Sequence, residues 1–423
     1  MKQCDDDPAE NFPVVACGGE PPAPIDLQRV FRILDASANR VTEGLRTIEE
    51  YARMVLDHHG WTTAVKELRH EVARGVALLP HAALLAARDT DRDCGTTIHT
   101  PQEQYRGDLE QVARAAWGRV QQGLRSLEEY GKLVSLPMVE IIQTVRYASY
   151  SLEQTMHMHS YRQQLLRGAT LYAIIDFSLP GLDFVPSPTA TSLPHAEPWG
   201  RRVAELIGGG VDVLQIREKR ASDLVLWDGC RIAAQVRDAC ASQHPCRLII
   251  NDRADLAVAC GADGVHVGQD ELPVSAVRRV VGQRGIVGVS THDLHQLRRA
   301  IAEGADYVGC GPTFPSGTKS FGSFSGLDFL RQAARQCQHC PPSDRDRTTC
   351  PAEPADGGLT EVLPAYAIGG ITLENVSQVI AAGFSRIAVR AALWKSDDPV
   401  RDAARFRQCL SPPNPSVPGT PLP

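Results

Sequence analysis

The sequence predicts an α/β protein in two parts, an all-α duplicated helical-hairpin domain followed by a closed barrel of eight alternating strands and helices. Three observations carry this. The chain has 423 residues, more than one ordinary domain. A pattern of twelve positions recurs in the first half. Short apolar runs alternate with amphipathic segments through the second half.

Composition bounds the functional classes. A hydrophobic content of 43% supports a buried core, and a net charge of -6 gives no reason to expect nucleic acid or an anionic membrane as partner. No apolar run reaches the roughly 18 residues of a membrane span. Residues 1–24 are acidic and contain Pro and Gly, without the basic-then-apolar order of a signal peptide, so a cytoplasmic protein is expected. Residues 1–24 and 411–423 read as disordered termini, 25–167 as the helical domain and 168–410 as the barrel.

The helical domain is carried by its repeat. Arg40-Val41-x-x-Gly44-Leu45-Arg46-Thr47-Ile48-Glu49-Glu50-Tyr51 returns as Arg119-Val120-x-x-Gly123-Leu124-Arg125-Ser126-Leu127-Glu128-Glu129-Tyr130, identical at eight of twelve positions. Duplication is the natural explanation. In each copy Val, Leu, Ile or Leu, and Tyr share one helical face. A second helix follows each copy, over Thr63–Leu79 and Met138–His159, which makes a small bundle with pseudo-twofold symmetry. The repeated charges admit two readings. Arg46 with Glu50, and Arg125 with Glu129, form helix-surface pairs, or Arg40, Arg46, Arg119 and Arg125 converge on an anion. Gly44 and Gly123 each cost about 1 kcal/mol inside a helix and imply close approach of another helix or of a ligand. This half contains no P-loop or other nucleotide motif.

The barrel strands are expected over Leu171–Asp176, Val211–Arg217, Arg247–Asn251, Gly264–Val267, Ile286–Val289, Tyr307–Cys310, Ala365–Ile368 and Arg386–Arg390. Helices are expected over Arg201–Ile207, Asp223–Ala241, Ala254–Cys260, Val274–Val281, Leu294–Glu303, Leu327–Gln336, Leu373–Ala382 and Val400–Cys409. The count and size are those of a TIM (β/α)8 barrel. Two long loops rich in Pro, Ser, Thr or Asp, Phe177–Gly200 and Gln338–Leu359, read as mobile surface insertions. The twelve cysteines are scattered. Cys230, Cys240, Cys260 and Cys310 read as reduced apolar fillers. Cys337, Cys340 and Cys350, with His339, offer metal ligands at a spacing that fits no common zinc pattern, and a disordered insertion is favoured there.

Polar clusters stand at the strand ends, where barrels of this kind place their sites. Gln215, Arg217 and Lys219 alternate out of the second strand and so point to one side. The two cations suit a diphosphate. Asp252 follows the third strand, and Asp270 or Glu271 the fourth, as a Mg²⁺ shared with phosphate oxygens requires. Asp252 also reads as a helix cap before Ala254. Thr318 and Lys319 end a loop that looks like a closing lid. Gly369-Gly370 after the seventh strand, with Arg390 and Ala391 after the eighth, form a phosphate site of backbone N–H groups. Two phosphorylated substrates follow.

On these motifs, residues 170 to about 409 resemble thiamine-phosphate synthase. That family joins 4-amino-2-methyl-5-pyrimidinylmethyl diphosphate to a thiazole phosphate on a TIM barrel with Mg²⁺, releasing diphosphate and thiamine monophosphate. The resemblance rests on Gln215, Arg217, Lys219, Asn251, Asp252, His266, Ser290 in Gly288-Val289-Ser290-Thr291-His292, Thr318, Lys319, Gly370 and Ala391. It implies that Asp252 and the acid after the fourth strand bind Mg²⁺. It further implies that Arg217, Lys219, Ser290 and Lys319 hold the diphosphate, Gln215, Asn251 and His266 lie near the pyrimidine, and Gly370 and Ala391 serve the thiazole phosphate. Family members often carry Gln-Glu-Asp where this chain has Gln269-Asp270-Glu271, so the expected Asp position holds Glu271, and either Asp270 or Glu271 is the implied metal ligand. Tautomerase or regulator-like relatives keep the barrel without the diphosphate machinery, whereas Arg217, Lys219, Asp252 and Lys319 are all present here. The N-terminal half resembles a helical domain linked to phosphorylation of the pyrimidine, with an oligomerising role as the alternative. The implied partners are small-molecule substrates and, for self-association, a homo-oligomer.

Overall fold

The computed structural model describes residues 25–91, 93, 105–187, 189–315, 325–337 and 363–411. Over these the chain forms two compact units, one drawn from Met1–Thr47 and Glu67–Ala148, the other from Ile48–Lys66 and Ser149–Pro423. The helical region comprises α1 (Leu27–Met54), α2 (His59–Val76), α3 (His81–Ala86), α4 (Leu109–Gly131) and α5 (Leu136–Leu166). The short α3 was not anticipated from the sequence.

The repeats lie on α1 and α4, and their glycines, both in the first unit, explain each other. A methyl added at Gly44 would lie 2.7 Å from Val120 Cγ2, and one at Gly123 would lie 2.6 Å from Val41 Cγ2. The two helices therefore cross at glycine, each valine filling the space that the other copy's missing side chain leaves. Of the two readings of these glycines, close helix contact is the one realised. Arg40, Arg46, Arg119 and Arg125 are all exposed. Arg125 pairs along its own helix with Glu129 at 2.8 Å and with Glu128 at 3.1 Å. Glu128 also holds the buried Arg146 at 2.6 Å.

The second unit is a closed barrel of eight parallel strands in the order β1 to β8. These are β1 (Leu171–Ile175), β2 (Val213–Ile216), β3 (Arg247–Asn251), β4 (Gly264–Val267), β5 (Ile286–Thr291), β6 (Tyr307–Cys310), β7 (Ala365–Ile368) and β8 (Ile387–Val389). Around them run α6 (Ala196–Gly208), α7 (Asp223–Cys240), α8 (Ala254–Ala259), α9 (Val274–Val281), α10 (Leu294–Ala302), α11 (Gly326–Cys337), α12 (Val376–Ala381), α13 (Ala391–Trp394) and α14 (Pro399–Leu410). Side-chain alternation along each strand builds two cores. Leu171, Ala173, Leu214, Ile216, Leu248, Ile250, Val287 and Val289 face the helices. Tyr172, Ile174, Val213, Ile249, Ile286, Tyr307, Tyr366 and Ala388 fill the barrel, and Leu166 at the end of α5 joins them. Nearby, Arg162 of α5 donates to the fully buried Asp306 at 2.6 Å, which also accepts from Arg278 at 2.7 Å.

The segment 177–200, expected as a mobile surface loop, is packed instead. Phe177, Phe184, Leu193 and Trp199 are buried in the outer core, and α6 begins within it at Ala196. Four aromatic or aliphatic anchors outweigh its Pro/Ser/Thr content. Cys230 and Cys310 are buried free thiols, and Cys240 and Cys260 are partly buried ones. Cys337 closes α11 as a buried thiol. Cys340, Cys350 and His339, like all of the second insertion, lie outside the described residues.

Candidate active site

Parallel strands bring all eight of their C-terminal ends to one face, and the expected polar residues gather there. Gln215 is the last inward-facing position within β2 and is buried. Arg217 and Lys219 continue its alternation, whereas Glu218 turns away to accept from the backbone N–H of Arg220 at 2.7 Å.

Lys219 Nζ stands 3.0 Å from Asp252 Oδ2 and 3.6 Å from Glu271 Oε1. Both carboxylates thus face one cationic position. Asp252 sits in the left-handed region at φ 63, a conformation that costs a non-glycine residue energy and recurs at functional sites. It does not cap α8, whose N-cap is Arg253 and carries no side-chain cap bond. Of the two acids after β4, Asp270 is exposed and Glu271 is the one turned to Lys219.

Arg217 lies at the electrical centre of this cluster. Burial and the neighbouring Arg390 lower its pKa, against the opposing pull of Asp252, Glu271 and Asp176. Arg390 makes a short ion pair with Asp176. Burial works against ionisation of Asp176, but hydrogen bonds from Ser178 and Arg390 outweigh it and hold the carboxyl below its ordinary value. Trp394 Nε1 adds a bond to the same carboxylate at 3.1 Å. Sequence reading missed Asp176. Its signal was a lone carboxylate directly after the five apolar residues of β1.

His266 lies beneath this layer. Its Nε2 is 2.8 Å from Ser290 Oγ and its Nδ1 is 3.1 Å from Tyr307 Oη, which is 2.9 Å from Tyr172 Oη. Burial lowers the imidazole to about 4, with Arg217 acting in the same direction. The ring is therefore neutral at pH 7. Gln269 Nε2 donates to the Ser290 carbonyl at 2.6 Å and Arg299 holds Gln269 at 2.9 Å, so the serine is fixed by backbone and side chain alike. Asn251 ends β3 beside them, paired in register with His266. Tyr172 and Tyr307 were also missed. Their inward alternation on short strands was readable, but not their meeting.

On the far side of the mouth Gly369 and Gly370 adopt φ 101 and 63. A methyl on Gly370 would approach the Phe314 carbonyl to 2.8 Å, so only glycine fits. Ala391 begins α13, directly after Arg390. Thr318 and Lys319 lie outside the described residues.

A family model described as Thiamine monophosphate synthase matches residues 189–393, and one described as ThiD2 family matches residues 32–155. A thiamine-phosphate synthase of Rhodopirellula baltica is 43% identical over 385 residues, covering 90% of this chain and 92% of the relative. The chain belongs to the thiamine-phosphate synthase family. A second thiamine-phosphate synthase, from Nostoc sp., is 37% identical over 88% of this chain and 92% of its own length. Among solved structures, a thiamine phosphate pyrophosphorylase from Pyrococcus furiosus aligns at TM-score 0.42 and 23% identity, over 59% of this chain and 97% of its own. Thiamine-phosphate synthases are transferases, so membership sets the reaction class, and the ThiD2 match covers the duplicated helical region that precedes the barrel.

Proposed function

We infer that this chain condenses the aminopyrimidinylmethyl diphosphate with a thiazole phosphate to give thiamine monophosphate and diphosphate. The observation that carries the reading is the convergence of Arg217, Lys219, Asp252 and Glu271 at one end of the barrel. The residues fit Mg²⁺. Two carboxylates face one cation position, and Mg²⁺ commonly takes one or two carboxylates with waters and substrate phosphates completing its shell. Among the described residues no group of three or more His, Cys, Asp or Glu gathers as a metal cage. That suits a metal shared with substrate. Asp252 and Glu271 would hold it, and it would neutralise charge on the leaving diphosphate.

The chain's own groups do the rest. Arg217, Lys219 and Ser290 bind the diphosphate and stabilise it as it leaves, with Lys319 as a further cation for it. Gln215 and Asn251 orient the pyrimidine by neutral hydrogen bonds. Gly370 and Ala391 present backbone N–H groups to the thiazole phosphate, beside Arg390. The electron-rich pyrimidine then loses diphosphate, and the thiazole nitrogen, held in place, forms the new C–N bond. Small-molecule biosynthesis of this kind belongs in the cytoplasm. No helix among the described residues is long and apolar enough to cross a membrane.

The test is incubation of the purified chain with both substrates, with and without Mg²⁺, beside Lys319→Ala. Thiamine monophosphate that requires Mg²⁺ and Lys319 supports the reading. Folded protein that makes none overturns it.

A further inference from the structure

The three contacts that run from Tyr172 through Tyr307 and His266 to Ser290 have a direction that heavy-atom positions do not display but proton counting supplies. Each hydroxyl carries one proton, and a neutral imidazole carries one N–H and one bare nitrogen. Two head-to-tail orders satisfy all three contacts; a third arrangement, in which Tyr307 accepts from both Tyr172 and Nδ1–H, leaves the Tyr307 proton without an acceptor among the described residues. In the inward order Ser290 donates to His266 Nε2, Nδ1–H donates to Tyr307, and Tyr307 donates to Tyr172. The Tyr172 proton is then left in the barrel core, where its hydroxyl has no other partner among the described residues. A buried orphan donor is costly. In the outward order Tyr172 donates to Tyr307, Tyr307 donates to Nδ1, and Nε2–H donates to Ser290 Oγ. No proton is orphaned, and the Ser290 hydroxyl keeps its own proton for the barrel mouth.

We propose that Tyr307 is a positioning residue that fixes His266 as the Nε2–H tautomer, so that Ser290 accepts on its inner side and donates outward to a diphosphate oxygen. The substrate half of this statement rests on the synthase reading above. The hydrogen-bond order does not. The fold supports the arrangement sterically. A methyl on Gly288 would fall inside the Tyr307 ring, so glycine beneath Ser290 is what admits that ring. Gly309 lies beside the imidazole, where an added methyl would stand 3.6 Å from His266 Cε1. The ring is held by its contacts to Ser290 and Tyr307 at its two nitrogens.

The two tyrosines give an internal control. Removing the Tyr172 hydroxyl leaves Tyr307 with Nδ1 as its only partner, so the outward order persists. Removing the Tyr307 hydroxyl takes away the donor that selects the tautomer. Both changes delete one buried hydroxyl from the same aromatic stack, with ring centroids 5.9 Å apart, so general loosening of the core would act alike in both.

The experiment uses the full chain with ¹⁵N-labelled histidine. Two-bond ¹⁵N–¹H correlation reads the tautomer, and loss of a signal in His266→Gln assigns it. The expected wild-type and Tyr172→Phe spectra show a protonated Nε2 and a bare Nδ1, and Tyr307→Phe shows a mixture. In turnover with Mg²⁺, Tyr307→Phe lowers kcat by roughly tenfold, at the low end for loss of a group that orients a functional side chain. Tyr172→Phe changes kcat less than about twofold, and in a Ser290→Ala background Tyr307→Phe costs less than about twofold, since the two act as one unit. A wild-type Nδ1–H tautomer overturns the proposal, as does equal loss in the two tyrosine variants or undiminished loss in the Ser290→Ala background. A wild type that makes no product overturns the synthase reading instead, and the spectra alone then decide the hydrogen-bond order.

Discussion

Lys219 Nζ lies 3.0 Å from Asp252 Oδ2, and this contact joins the end of β2 to a carboxylate held at a left-handed φ. A lysine between two acids marks where a divalent cation would compete. Asp252→Asn is expected to remove at least about 100-fold of turnover, as loss of one electrostatic stabiliser does, and to raise the Mg²⁺ concentration needed for half-activity. Glu271→Gln should act in the same direction, and Asp270→Asn should stay within about twofold because that side chain points to solvent. A Mg²⁺ titration of the three variants checks this; Asp270→Asn as the most damaging would reverse the assignment.

The buried His266 makes stability depend on pH. Its folded pKa, about 4, lies below the ordinary 6.5, so the unfolded chain binds the proton first. The stabilisation is complete above the ordinary value and is lost as pH falls toward the folded one. On the order of 3 kcal/mol is at stake from such a shift. Urea midpoints between pH 7.5 and 4.5, acid-range values chosen to span about one transition, should fall more steeply for wild type than for His266→Gln. His58 and His159, also lowered to about 4 chiefly by burial, contribute to the slope that remains.

Asp176 and Arg390 close the seam between the first and last strands, which pair in register. Asp176→Ala should lower stability by about 3 kcal/mol, the lower end for breaking a buried pair because Arg390 is partly exposed. Freed Arg390 also loses its orientation, and KM for the thiazole phosphate should rise. Chemical denaturation and steady-state kinetics read the two effects separately.

Gly288 supports the Tyr307 ring from below, and Gly288→Ala is expected to cost about 2 kcal/mol by overpacking. Tyr307→Phe should not rescue it, because the ring remains; Tyr307→Leu should recover part of the loss. An unchanged urea midpoint in Gly288→Ala would count against the close packing described.

Much of this molecule was legible in its sequence. β3, β4, β6 and β7 fall where the apolar runs placed them, because each run is short, β-branched or aromatic, and bounded by a polar cluster or by Gly or Pro. Gln215, Arg217 and Lys219 were readable as one side of an alternating segment. Other features needed closure of the barrel. Asp176 meets Arg390 only when the first strand lies against the last, and Tyr172 meets Tyr307 only across the interior. Which of Asp270 and Glu271 faces Lys219 depends on how one loop turns, which no spacing rule fixes. Buried anchors in 177–200 were visible as Phe184, Leu193 and Trp199 but were outvoted by the prolines around them.

The reciprocal seating of Val120 on Gly44 and of Val41 on Gly123 has a consequence for how such a chain can change over generations. Each half of the duplication is the mould for the other, so neither can drift alone at this crossing. A larger residue in place of one glycine requires a smaller one in place of the valine opposite, and the second glycine and valine are bound by the same rule. Divergence at these four positions must then proceed by paired replacements, and the two copies stay alike where they touch while the exposed faces that carry Arg40 and Arg119 are at liberty to part.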